Sequence, residues 1–80
     1  MQTTIIMKEK IHIGELIRKK LEENGQSASW LAEKVHCDRS NFNKLLQKDH
    51  IDTELLGLIS QVMNFNFFMY YTDLLEDEMQ

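Results

Sequence analysis

Residues 27–45 read SASWLAEKVHCDRSNFNKL, and this stretch decides the fold. Ser27 is a good N-cap, and after it Ala28, Leu31, Ala32 and Val35 form a narrow apolar stripe on a helix of about eight residues. His36, Cys37 and Asp38 interrupt the rhythm. Asp38 then caps a second short helix whose inward face is Phe42, Leu45 and Leu46. Neither helix is long enough to be stable alone. Two such helices joined by a tight turn need a small residue where they cross, apolar anchors on both sides, and an outward face left free. Ala32 is the small residue. Leu31 and Val35 anchor the first helix, Cys37 plugs the turn, and Phe42 with Leu45 anchors the second, which is the pattern of a helix-turn-helix unit.

Moving outward, Ile13, Leu16, Ile17 and Leu21 mark one face of a preceding helix over about 13–24, with Arg18, Lys19, Glu22 and Glu23 on the other side. Asn24 and Gly25 end it, Gly25 suiting the left-handed position after the last turn. Downstream, Asp52 caps a helix over about 53–64 with Leu55, Leu56, Ile59, Val62 and Met63 inward, and Gly57 inside it costs about 1 kcal/mol relative to alanine. Asn66 can begin a last helix from Phe67 to Leu75, which carries too many apolar groups for one face. Phe67, Phe68 and Tyr71 are expected to close the core. Met69, Tyr70, Leu74 and Leu75 are expected to meet a second copy of the chain, since a contiguous exposed apolar patch usually marks an interface. Residues 1–7 read as a flexible arm, 8–75 as the domain and 76–80 as an acidic, frayed tail.

The composition agrees with one small all-α domain. The chain has 80 residues, 42% of them hydrophobic and 28% charged, with no proline and three glycines, which favours helices over short strands and tight turns. Cys37 is the single cysteine, so no intramolecular disulfide forms, which fits a reducing cytoplasm and equally a secreted protein without bridges. The N-terminus shows neither a signal-peptide pattern nor a membrane span, which makes the cytoplasm the expected location. The net charge of −4 argues at first against a polyanion as partner. Its distribution changes that reading. All nine Lys and Arg lie between Lys8 and Lys48, and residues 1–50 hold seven acids beside them, while residues 51–80 hold six acids and no base. Either the N-terminal part faces a polyanion and the acidic part faces away, or the acids merely solvate a C-terminal helix and tail.

The segment Leu31-Ala32, followed by His36, Cys37 and Asp38 before the third helix, resembles the lambda-repressor-like family of xenobiotic-response-element (XRE) type regulators. The likeness covers about residues 11–72. More narrowly, Ser29 to Ala32, Cys37 to Asn41, Ile51 to Thr53 and Asn66 to Tyr71 look like a small Bacteroidetes-type subgroup. The resemblance implies a compact bundle of four or five helices that binds double-stranded DNA as a homodimer, with residues 38–47 as recognition helix on a palindromic operator, readers about 34 Å apart. There are two departures. His36 stands where the family has its turn glycine, and histidine enters positive φ less easily. Ala28 stands where a DNA-contacting glutamine is common, which leaves backbone amides and the Ser27 or Ser29 hydroxyl to hold a phosphate.

On the recognition helix the outward positions are Arg39, Ser40, Asn43, Lys44 and Gln47. Arginine and lysine donate to guanine, asparagine and glutamine pair with adenine, and serine adapts to either, so these are the expected base readers, with Arg39 and Lys44 foremost. Ser27, Ser29, Lys34, Asn41 and Lys48 are the expected phosphate contacts, which position without reading sequence. Asn41 could equally cap the turn.

Other chemistry finds little footing. His12, His36, Cys37 and His50 lack metal-ligand spacing. No phosphate loop, framed carboxylate pair or exposed nucleophile points to an enzyme, and no cofactor or small-molecule site is evident. The rival reading is a protein-interaction module on the same fold, antirepressor or antitoxin-like, favoured by the net acidity, the missing glutamine and the aromatic C-terminus.

Overall fold

The computed structural model describes residues 11–79, with side chains through Asp73 and at Leu75. It contains five helices: α1 (Ile13–Glu23), α2 (Ala28–Lys34), α3 (Arg39–Leu46), α4 (Thr53–Met63) and α5 (Met69–Met79). No strand occurs among the described residues, and none of the helices is long and apolar enough to cross a membrane. The expected arm, residues 1–7, lies outside the described part of the chain.

Each of the first four helices starts on a side chain that accepts a hydrogen bond from the first turn. Ser27 takes the N–H of Trp30, Asp38 that of Asn41, and Asp52 that of Leu55. These three caps follow from residue type. The cap of α1 is His12, whose Nδ1 accepts from the Glu15 N–H. Histidine is not among the usual N-caps.

Three helices end in the same way. After α1, α2 and α4 the chain turns through a left-handed residue: Gly25 (φ 69°), His36 (φ 57°) and Asn64 (φ 53°). In each case the N–H of that residue bonds three positions back and the next N–H bonds five positions back, as in Gly25 to Glu22 and Gln26 to Leu21. Cys37 to Ala32 and Phe65 to Ser60 repeat the longer bond. This is the Schellman closure, which satisfies carbonyls that a helix end would leave orphaned. His36 adopts the conformation that the family pattern assigns to glycine, and Asn64 is a second non-glycine case.

The core is apolar. Ile13, Ile17 and Leu21 from α1, Leu31, Ala32 and Val35 from the α2 segment, Phe42 and Leu46 from α3, Leu56, Ile59 and Met63 from α4, and Phe67 form one buried cluster. No polar side chain is buried among the described residues. Phe42 is fully buried, and truncating such a ring to alanine costs about 3–5 kcal/mol. α2 and α1 both pack on α3, and α2 also meets α4. The crossing of α1 and α3 depends on Gly14. A Cβ there would run into the Leu46 carbonyl and come within 2.7 Å of the Lys48 carbonyl oxygen.

The C-terminal region departs from expectation. The last helix begins at Met69 rather than Phe67, because the Asn66 side chain accepts the Phe68 N–H and turns the chain first. Phe67, just ahead of the helix, drops its ring into the core while its N–H donates to Ser60 Oγ at 3.3 Å. Phe65 packs edge-on against it at 4.8 Å between centroids and carries the Lys20 ammonium over its ring, 4.1 Å from the centroid. Phe68 and Tyr71 are half-buried against the same core, as expected. α5 then continues to Met79, through the stretch read as a tail.

Candidate nucleic-acid interface

α3 is strongly two-sided. Its Phe42 and Leu46 are buried and Leu45 is half-buried, whereas Arg39, Ser40, Asn43 and Lys44 are exposed, as is Gln47 at its C-cap. The five side chains named as base readers therefore share one helix and its end. The exposed set is rich in donors and amides and contains no acid, so its chemistry is hydrogen bonding to acceptor-rich edges or to anionic oxygens.

Of the expected phosphate contacts, Ser27 and Ser29 share a groove with the start of α3. The N-terminal ends of α2 and α3 enclose an open groove of about 620 Å³ lined by Ser27, Ser29, Trp30, Ala32, Glu33, Cys37, Asp38 and Arg39. Two of the expected phosphate residues, Ser27 and Ser29, thus lie in the same depression as Arg39. Ser27 Oγ already accepts the Trp30 N–H at 3.0 Å, which leaves its own O–H as the donor. Lys34 is exposed, with its ammonium 5.9 Å from the Trp30 ring centroid. Lys48 is exposed just past α3. The Asn41 side chain is exposed; the residue that caps the turn is Asp38, to which Asn41 donates its backbone N–H at 3.3 Å.

Sequence reasoning missed two features of this region. Glu33 and Asp38 bring two carboxylates into the groove, and of these Asp38 is committed to capping α3. At the other end of α3, His12 Nε2 lies 3.1 Å from the Gln47 carbonyl oxygen. A histidine three residues ahead of a first-turn glutamate was the available signal for a cap, since Ser or Thr at that spacing forms the capping box.

Elsewhere on the surface, Met69 (42%) and Leu75 (57%) of the expected dimer seam are exposed, together with Leu58 (38%). Tyr70 instead turns partly inward, 6.1 Å from the Phe65 ring and 6.5 Å from that of Phe67, and the Leu74 side chain lies outside the described residues. Among the described residues no three His, Cys, Asp or Glu side chains converge as metal ligands would. No protein-family model, no curated protein and no solved structure matches this chain.

Proposed function

We propose that this chain is a sequence-specific DNA-binding transcription regulator of the lambda-repressor-like, XRE type, with α2 and α3 as its helix-turn-helix. The observation that carries this reading is the division of α3: Phe42 and Leu46 are buried while Arg39, Ser40, Asn43, Lys44 and Gln47 stand exposed together. A helix anchored by one face and presenting a base-compatible set on the other is what major-groove reading requires. The groove that joins Ser27 and Ser29 to Arg39 supports it, because phosphate contacts must flank the readers to fix the register. Confinement of every base to residues 8–48 directs the acidic C-terminal part away from a polyanion. A homodimer would bring two copies of α3 to successive major grooves, with Met69 and Leu75 of α5 at the seam.

Selection of bound duplexes from a random pool, at two salt concentrations and beside an Arg39→Ala, Lys44→Ala double variant, tests this. A palindromic consensus that the variant loses is the expected result; absence of any consensus at low salt overturns the reading. The second reading, a protein-interaction module on the same scaffold, draws on the exposed Leu58, Met69 and Leu75 and on the acids in the groove. Salt separates the two, since duplex affinity falls steeply with ionic strength and an apolar protein interface hardly changes.

A further inference from the structure

The C-terminal end of α3 is held from α1 by one side chain. The His12 ring accepts the Glu15 N–H on Nδ1 at 3.0 Å, and its Nε2 lies 3.1 Å from the Gln47 carbonyl oxygen. A ring nitrogen that accepts a hydrogen bond carries no proton, so the ring proton sits on Nε2 and donates to Gln47. The imidazole therefore starts one helix and closes another. Gln47 is the C-cap of α3, and its carbonyl is one of the acceptors that a helix end leaves without an internal partner. Next to it Gly14 brings the α1 backbone against the carbonyls of Leu46 and Lys48. Residues 46 to 48 are thus gripped from α1 along three consecutive peptide groups.

We infer that His12 is a positioning residue for duplex reading: its Nε2–H bond to Gln47 sets where the C-terminal end of α3, with Lys44 and Gln47, stands relative to the rest of the bundle. The inference rests on the DNA-binding reading of α3. It assigns His12 a role besides capping, because a cap needs only the Nδ1 arm. The Nε2 arm adds nothing to the first turn of α1 and acts wholly on α3.

Two conservative variants keep one arm each. His12→Asn retains an acceptor near the Nδ1 position and is among the best N-caps, but falls short of Gln47. His12→Gln carries an amide donor to the Nε2 position and gives up the cap. In His12→Asn the better N-cap offsets the lost Nε2 bond, so the thermal midpoint should stay near the wild-type value, while the amides of Gln47 and Lys48 exchange faster with solvent. Affinity for the selected duplex should fall by up to about five-fold, because a bond worth about 1 kcal/mol no longer favours the reading position of α3, with preference relaxed at the base pairs faced by Lys44 and Gln47. In His12→Gln the midpoint should drop, while affinity and preference, measured well below it, match the wild type. The inference is overturned if affinity follows stability, with the Gln variant weaker than the Asn variant, or if both bind as the wild type does. A wild-type chain that selects no duplex overturns the DNA reading and the operator part of this inference with it. The exchange rates of Gln47 and Lys48 in His12→Asn then decide on their own whether His12 holds α3.

Discussion

The backbone of Gly14 lies so close to the carbonyl of Leu46 that a Cβ on Gly14 would overlap the carbonyl oxygen and reach 2.6 Å from its carbon. The neighbour is main chain, which cannot rotate aside as a flexible side chain can. Gly14→Ala should therefore destabilise the fold by about 1–3 kcal/mol through overpacking, although alanine is the better helix former. Gly57 supplies the control. It sits inside α4, where a Cβ would meet nothing within 4 Å beyond its chain neighbours and the backbone of its own helix, so Gly57→Ala should stabilise by about 0.5–1 kcal/mol. Urea denaturation of both variants checks the pair, and wild-type stability in Gly14→Ala would contradict the close crossing.

His36 at φ 57° holds a conformation that costs an L-residue about 1–2 kcal/mol. Its side chain is exposed, so replacing it removes no core packing, while a glycine adds some freedom to the unfolded chain. His36→Gly should gain about 0.5–1 kcal/mol net, raising the thermal midpoint by about 3–6 °C for a domain of this size. A lower midpoint would mean that the imidazole makes a stabilising contact of its own.

Tyr71 has its phenol raised above its ordinary value of 10.0, first by burial and second by the negative charge of Asp49. The folded state therefore keeps the phenol proton at pH values where the unfolded chain has released it. Its contribution to stability is fully present below the unfolded value and is lost as pH rises through the higher folded one. Denaturation at alkaline pH should show stability declining from about pH 10 upward, with a gentler decline in Tyr71→Phe. A tyrosinate absorbance titration of Asp49→Asn should bring the phenol part of the way back, since the carboxylate is the smaller of the two causes.

Arg39 and Lys48 should separate reading from holding. Arg39→Ala is expected to cost about 1–3 kcal/mol on the preferred duplex and to relax preference at one base pair. Lys48→Ala should weaken all duplexes alike and flatten the salt dependence by about one unit. Glu33 gives the opposite sign: its carboxylate lines the groove beside Ser27, Ser29 and Arg39, so Glu33→Gln should tighten binding to any duplex, most at low salt. Binding isotherms across a salt series distinguish the three. An Arg39→Ala loss that is the same on every sequence removes it from the readers.

The helices were readable where one residue type has one dominant use. Ser27, Asp38 and Asp52 begin helices because short polar acceptors satisfy first-turn N–H groups, and the spacing of Ile13, Ile17 and Leu21, or of Leu56, Ile59 and Met63, gives the inward faces. Gly25 was readable as a helix end for the same reason. What escaped was set by contacts distant in sequence or by residues with several uses. Gly14 is meaningful only against the Leu46 carbonyl, and the role of His12 only against Gln47. Asn64 ends α4 in a left-handed turn that an asparagine could as easily have left unused. Phe67 lies in the core as its place in the aromatic run implies, but the run does not show that Asn66 turns the chain first and delays the helix to Met69. In the candidate site, exposure of the α3 face followed from its period, but the groove that brings Glu33 next to Arg39 depends on the angle between two helices, which periodicity does not encode.

The three left-handed helix ends also define a signature that surface chemistry would not reveal. Positions 25, 36 and 64 each demand a residue that tolerates positive φ, and the chain meets the demand in three different ways, with glycine, histidine and asparagine. Exchanging charges on the exposed face of α3 leaves these corners untouched, whereas a β-branched residue at any of the three places works against the turn that brings the next helix back onto the bundle. Kinship for this chain is therefore better sought in the punctuation between its helices than in the residues that face outward.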